Sequence, residues 1–165
     1  MQSISPEKVF RGDGAWFKAL PQIKQFSKRP LLLGRSLETS KIRQQIHKDL
    51  LNANLDVHIS NLKFDCCYED LSRVKTIVLK KNCDSIIAVG GGKVLDAGKF
   101  LSDSLSIPVI TVPLSASTCA GWTALSNIYS INGQFIKDIN LKSCPKILVL
   151  DHSLIKTAPK RTLAS

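Results

Sequence analysis

Residues 85–99 read Ser85-Ile86-Ile87-Ala88-Val89-Gly90-Gly91-Gly92-Lys93-Val94-Leu95-Asp96-Ala97-Gly98-Lys99. The nearly unbroken apolar run from Ser85 to Val89 is the mark of a strand buried on both faces. Glycines 90, 91 and 92 follow, and a helix is expected from Lys93 to Ser102. Glycine is needed where backbone amides approach phosphate oxygens with no Cβ between them. The first turn of the next helix offers unbonded N–H groups and a partial positive charge to the same anion. Strand, glycine turn and helix in this order point to a phosphate-holding turn of an α/β domain, with its ligand beyond the carboxyl ends of the strands. Lys93 adds a point charge. The stretch matches neither G-x-x-x-x-G-K-[ST] nor G-x-G-x-x-G, and a tight turn without a ligand would also account for the glycines. Asp96, in the first helical turn, either complements the helix dipole or meets the ligand. Lys99 stands at the spacing of an intrahelical ion pair with it.

Outward from this core the pattern alternates. Pro30–Gly34 reads as a strand, Ser36 as a helix cap, and Leu37, Ile42, Ile46 and Leu50 as the apolar stripe of a helix. A strand is expected over Leu55–Ile59, and a helix over Tyr68–Lys80 with Leu71, Val74, Val78 and Leu79 toward the core. Ile107–Val112 is the next strand, Ser115–Gly121 a loop of small polar residues, and Lys146–Leu150 a last apolar strand. Between these, Ala124–Ser130 and Gln134–Leu141 read as a hairpin turning near Asn132–Gly133. Apolar strands alternating with amphipathic helices predict a Rossmann-like, doubly wound, mainly parallel sheet with helices on both faces, here with a β-hairpin added.

Composition narrows the function. The 165 residues suffice for one domain with a sizeable core, and 44% of them are apolar. No segment approaches the roughly 18–20 apolar residues of a membrane helix, so no membrane association is expected. The N-terminus lacks the apolar stretch of a secretory signal. Lys and Arg outnumber Asp and Glu by 23 to 13. The basic residues are scattered, with few aromatics among them and no recognition motif. That argues against nucleic acid and fits either a solvated surface or a phosphorylated small molecule. Five cysteines with no C-x-x-C pair argue against structural zinc and for reduced thiols in a cytoplasmic protein.

Gly90-Gly91-Gly92-Lys93-x-x-Asp96-x-x-Lys99, then Val112–Pro113, Ser117–Thr118 and Leu125–Ser126-x-x-Tyr129, resembles the iron-containing alcohol dehydrogenase family, nearest to its glycerol dehydrogenase branch. The resemblance runs from Val9–Gly12 to Leu148–Asp151. It implies a dehydroquinate synthase-like N-terminal domain over residues 1–165, which binds NAD or NADP. In that family a C-terminal helical domain completes the enzyme, and a divalent metal, zinc or iron, lies between the two. The helical domain is expected to be absent here, and with it the metal ligands; His47, His58 and His152 match none of them. The resemblance implies cofactor contacts at Gly91, Gly92, Lys93, Asp96, Leu114, Ser117, Thr123, Leu125 and Tyr129. Strand packing accounts equally for Leu125 and Tyr129. Cys119 falls where glycerol dehydrogenases carry an Asp for a substrate hydroxyl, and a thiol is a weak hydroxyl partner. Arg35 falls where NAD-binding relatives often carry an acid, and suits either the 2′-phosphate of NADP or a solvated surface.

The implied function is a metal-assisted alcohol or polyol dehydrogenase moving hydride between a small alcohol, polyol or aldehyde and nicotinamide. This chain would be its cofactor domain, inactive alone, with self-association into a homo-oligomer through its interdomain face. One alternative on the same fold is a glycerol-1-phosphate dehydrogenase or dehydroquinate synthase acting on a phosphorylated substrate. Another is a non-catalytic nucleotide-binding module.

Overall fold

A computed structural model describes residues 5–158. In chain order the elements are β1 (Lys8–Gly12), α1 (Ala15–Phe26), β2 (Pro30–Gly34), a 3₁₀ turn (Leu37–Thr39), α2 (Ser40–Asn52), β3 (His58–Asn61) and α3 (Tyr68–Lys80). They continue with β4 (Ser85–Gly90), α4 (Gly92–Leu105), β5 (Val109–Pro113), β6 (Leu125–Tyr129), β7 (Phe135–Asn140), β8 (Ile147–Asp151) and α5 (His152–Thr157).

Six strands form one parallel sheet in the order β1-β8-β5-β4-β2-β3, and β6 and β7 form a separate antiparallel hairpin. From β2 the chain winds outward to β3, crosses back over β2 to β4, and continues to β5. The winding therefore reverses between β2 and β4, and a crevice opens beyond their carboxyl ends.

Alternation along the strands divides the core. Leu32, Ile87, Val89, Ile110 and Val149 face Ala15, Trp16, Ile23, Ile46 and Leu50 of α1 and α2. Leu31, Leu33, Ile86, Ala88 and Val109 face Leu71, Val74, Leu95 and Leu101 of α3 and α4. Each Val, Leu or Ile among them stabilises the fold by about 1.5–3 kcal/mol on burial, so the central strands cannot slip by a residue without exposing one face and crowding the other. Gly98 lets α4 seat closely on β4, for a Cβ there would stand 2.6 Å from that of Ala88.

Some expectations need correction. Leu79 is 58% exposed, because it lies about 100° around the helix from Val78. Leu37 is 87% exposed, since it belongs to the 3₁₀ turn and precedes the stripe that starts at Ile42. The strand expected from Leu55 starts only at His58. Leu55 and Asp56 are taken up in the reversal after α2, donating to the carbonyls of Leu50 and Lys28.

Candidate functional site

The crevice at the reversal of winding is a cavity of about 250 Å³. Arg35, Ser36, Glu38 and Thr39 come to it from beyond β2, Gly90 to Val94 from the β4–α4 turn, and Leu114 from the end of β5. Arg43 shapes the segment beyond β2 from beneath, its buried guanidinium donating to the Ser36 carbonyl and the Thr39 hydroxyl. The Leu114 amide donates to the Gly90 carbonyl at 2.9 Å, closing the opposite wall.

At Gly91 the backbone is extended, at φ −82° and ψ −178°, a conformation open to any residue, and a Cβ would meet nothing within 4 Å. The protein's own packing does not require glycine there. The space it leaves faces the cavity, beside Gly92 and Lys93, whose amides in the first helical turn have no intrahelical acceptor. An anion seated there meets unbonded N–H groups and the positive end of α4.

A trio of charges stands at this turn. Lys93 Nζ donates to Asp65 Oδ2 at 2.6 Å and lies 4.5 Å from the centre of the Tyr129 ring. Arg35 Nη2 is 3.0 Å from Asp65 Oδ1, which accepts no aligned hydrogen bond. One buried carboxylate thus gathers the two cations nearest the crevice. The loop carrying it is fixed by Asp70, in the first turn of α3, which accepts from the Phe64 amide at 2.6 Å and pairs with Arg73. Burial pushes the Asp70 carboxyl up, but the Phe64 and Lys63 amides and Arg73 outweigh it, and the group sits below its ordinary value. Sequence reasoning missed Asp65. The available signal was an acidic residue in the loop after β3, at the same end of the sheet as the glycine turn.

A second cavity, about 290 Å³, adjoins the first through Gly92 and Lys93. Asp96, Cys119, Thr123, Leu125 and Tyr129 line it. The structure therefore brings every expected cofactor residue to one of two adjoining cavities except Ser117. That residue is exposed in the 115–121 loop, its Oγ 2.8 Å from that of Ser115. Asp96 is buried, at 3.0 Å from Lys99 Nζ, the ion pair its spacing predicts. Burial raises the Asp96 carboxyl, opposed by Lys99 and by the Asn127 amide. Cys119 is exposed, whereas Cys66, Cys67, Cys83 and Cys144 are buried.

A third cavity, about 430 Å³, lies on the other side of the 115–121 loop, where Arg11, Trp122, His152 and Lys156 converge. Among the described residues no group of three or more His, Cys, Asp or Glu side chains is placed to hold a metal ion, so these residues do not fit a metal site by themselves. No helix among them is long and apolar enough to cross a membrane.

Residues 6–152 match the family model of the iron-containing alcohol dehydrogenases. The chain belongs to that family. It is 33% identical over 163 residues to an uncharacterised oxidoreductase of Synechocystis, covering 99% of this chain and 42% of that protein. To a glycerol dehydrogenase of Escherichia coli it is 30% identical over 161 residues, covering 98% and 44%. The crystal structure of a probable glycerol dehydrogenase from Sinorhizobium meliloti superposes with a TM-score of 0.84 at 25% identity, covering 96% of this chain and 42% of that one. The chain thus spans less than half the length of these relatives.

Proposed function

We propose that this chain is the dinucleotide-binding part of an NAD(P)-dependent alcohol or polyol dehydrogenase. The observation that carries the reading is Gly91, a glycine that the fold does not need, facing a crevice with unbonded helix amides at the reversal of winding. In this reading the pyrophosphate lies on the Gly91–Lys93 turn. The adenosine half fills the first cavity between Arg35 and Leu114, and the nicotinamide half the second, beside Asp96, Thr123, Leu125 and Tyr129. When bound, the nicotinamide supplies the hydride chemistry. The protein's part is to orient the ring and to hold a positive field on the phosphates. Asp65 sets that field, offsetting one of the charges of Arg35 and Lys93.

Arg35 stands at the mouth of the first cavity, with its remaining guanidinium N–H groups beyond the Asp65 contact, and favours NADP there. Ligands for a zinc or iron ion are assigned to the portion of the relatives that this chain does not span. Cys119 in the second cavity supports a substrate less dependent on hydroxyl bonding than glycerol. A second reading is a phosphorylated substrate, and the basic third cavity with Arg11, His152 and Lys156 favours it.

The test is a titration of the chain with NADH, NADPH and ADP, followed by calorimetry and by nicotinamide fluorescence. Saturable binding of both dinucleotides, with ADP competing, is expected. Absence of saturable dinucleotide binding would overturn the reading.

A further inference from the structure

Lys99 is placed unlike a surface helix lysine. Its side chain is 1% exposed. Its ammonium is 3.0 Å from Asp96 Oδ1, donates to Thr123 Oγ1 at 3.1 Å, and donates to the Leu125 carbonyl. An ammonium has three protons, and these three acceptors use them all. A buried ammonium costs several kcal/mol unless it is matched in this way, so the position holds its partners to a narrow geometry.

Those partners belong to separate elements. Asp96 is on α4, Thr123 is in the segment leading to the hairpin, and Leu125 opens β6. All three line the second cavity, and Lys99 does not. The hairpin shares no ladder with the main sheet. It is held besides by the Asn127 amide on the Asp96 carboxylate, by Ser126 Oγ on the Asp96 carbonyl at 3.0 Å, by the Tyr129 amide on the Cys66 carbonyl at 2.9 Å, and by Lys93 over the Tyr129 ring. The first cavity draws on the ends of β2, β4 and β5 and includes none of the three groups that Lys99 holds.

We propose that Lys99 is a positioning residue for the nicotinamide half of the cofactor, tying Thr123 and the start of β6 at Leu125 to α4 while touching no part of the ligand. This rests on the reading of the two cavities as one dinucleotide site. It separates the two halves energetically: Lys99 governs the second cavity and leaves the first alone.

The experiment compares ADP, which spans only the first cavity, with NADH, which spans both. Binding is measured by calorimetry on the wild-type chain, on Asp96→Asn and on the double variant Asp96→Asn/Lys99→Met. The double variant removes both buried charges and so leaves neither uncompensated. Asp96→Asn alone keeps the Lys99 ammonium on Thr123 and Leu125 but without its carboxylate, so weaker NADH binding by the double variant than by this charge-unbalanced single variant reports the Lys99 grip. NADH is expected to bind about tenfold more weakly to the double variant than to Asp96→Asn, as befits loss of a charge-assisted tie. ADP is expected to bind all three chains within about twofold. Equal NADH affinity in the two variants would overturn the proposal, as would a parallel loss of ADP binding in the double variant. A wild-type chain binding neither ligand would instead sink the dinucleotide reading, and the proposal with it.

Discussion

Replacing Gly91 with alanine separates a ligand's demand from the fold's. A Cβ at Gly91 meets no protein atom within 4 Å, and its backbone angles suit alanine. Such a Gly→Ala change gains about 0.4–1 kcal/mol through the unfolded chain, offset by a cost of similar size because Gly91 is the N-cap of α4, where alanine is poorer than glycine, so Tm should move by no more than roughly 2–4 °C at this size. A phosphate oxygen on the neighbouring amides, at about 2.9 Å, needs the volume that the new methyl group fills. Displacing it forfeits at least one charge-assisted hydrogen bond, about 1.5–3 kcal/mol, which is roughly a 10- to 150-fold loss of affinity. Gly91→Ala should therefore melt close to the wild-type temperature while binding NADH and ADP much more weakly. Thermal denaturation and calorimetric titration read the two quantities. Unchanged affinity for both ligands would refute the argument, because the glycine would then serve neither the protein nor the phosphate.

Arg35→Ala should weaken NADPH binding about three- to tenfold, a modest figure because the side chain is 44% exposed, and leave NADH nearly unchanged; equal effects on the two would remove Arg35 from the 2′-phosphate. A maleimide should label the folded chain at Cys119 and spare the buried cysteines, among them Cys66 and Cys83, whose thiols burial pushes up to about 12 and about 11. NADH should protect Cys119, and labelling unaffected by the dinucleotide would place the ligand elsewhere. Asp70→Asn should cost about 2–4 kcal/mol at neutral pH, since Asp70 anchors the loop that carries Asp65. The folded carboxyl lies below its ordinary value of 3.8, so its stabilisation is present above that pH and lost as the pH falls through the folded value. Urea melts of wild type and variant should converge in strong acid, and a constant gap would assign the loss to packing.

Much of the fold was legible because its central strands are apolar on both faces and its helices keep a stripe. Pro30–Gly34, Ser85–Gly90 and Val109–Pro113 show no alternation to mislead, and Ile42, Ile46 and Leu50 recur at the helical period. The N-terminal pair was not legible from pattern. β1 is an edge strand with exposed residues at Lys8, Val9 and Arg11, and α1 carries Pro21 in its interior, which weakens any helical reading. The glycine turn and the residues that follow it announced a site, since a turn and its helix are local. Asp65 and the reach of Lys99 to Thr123 and Leu125 join segments 24 to 28 residues apart, and no local spacing encodes that.

The hairpin built by β6 and β7 stands outside the main sheet, yet it supplies Leu125 and Tyr129 to the second cavity. A unit attached in this way can open on its own, with a free energy smaller than that of global unfolding. The affinity observed for anything in the second cavity is then the intrinsic affinity scaled by the fraction of molecules with the hairpin closed. Amide exchange should accordingly be faster along β6 than along β4 in the free chain, slow in β6 when dinucleotide binds, and stay slow throughout in β4, which the six-stranded sheet encloses on both sides.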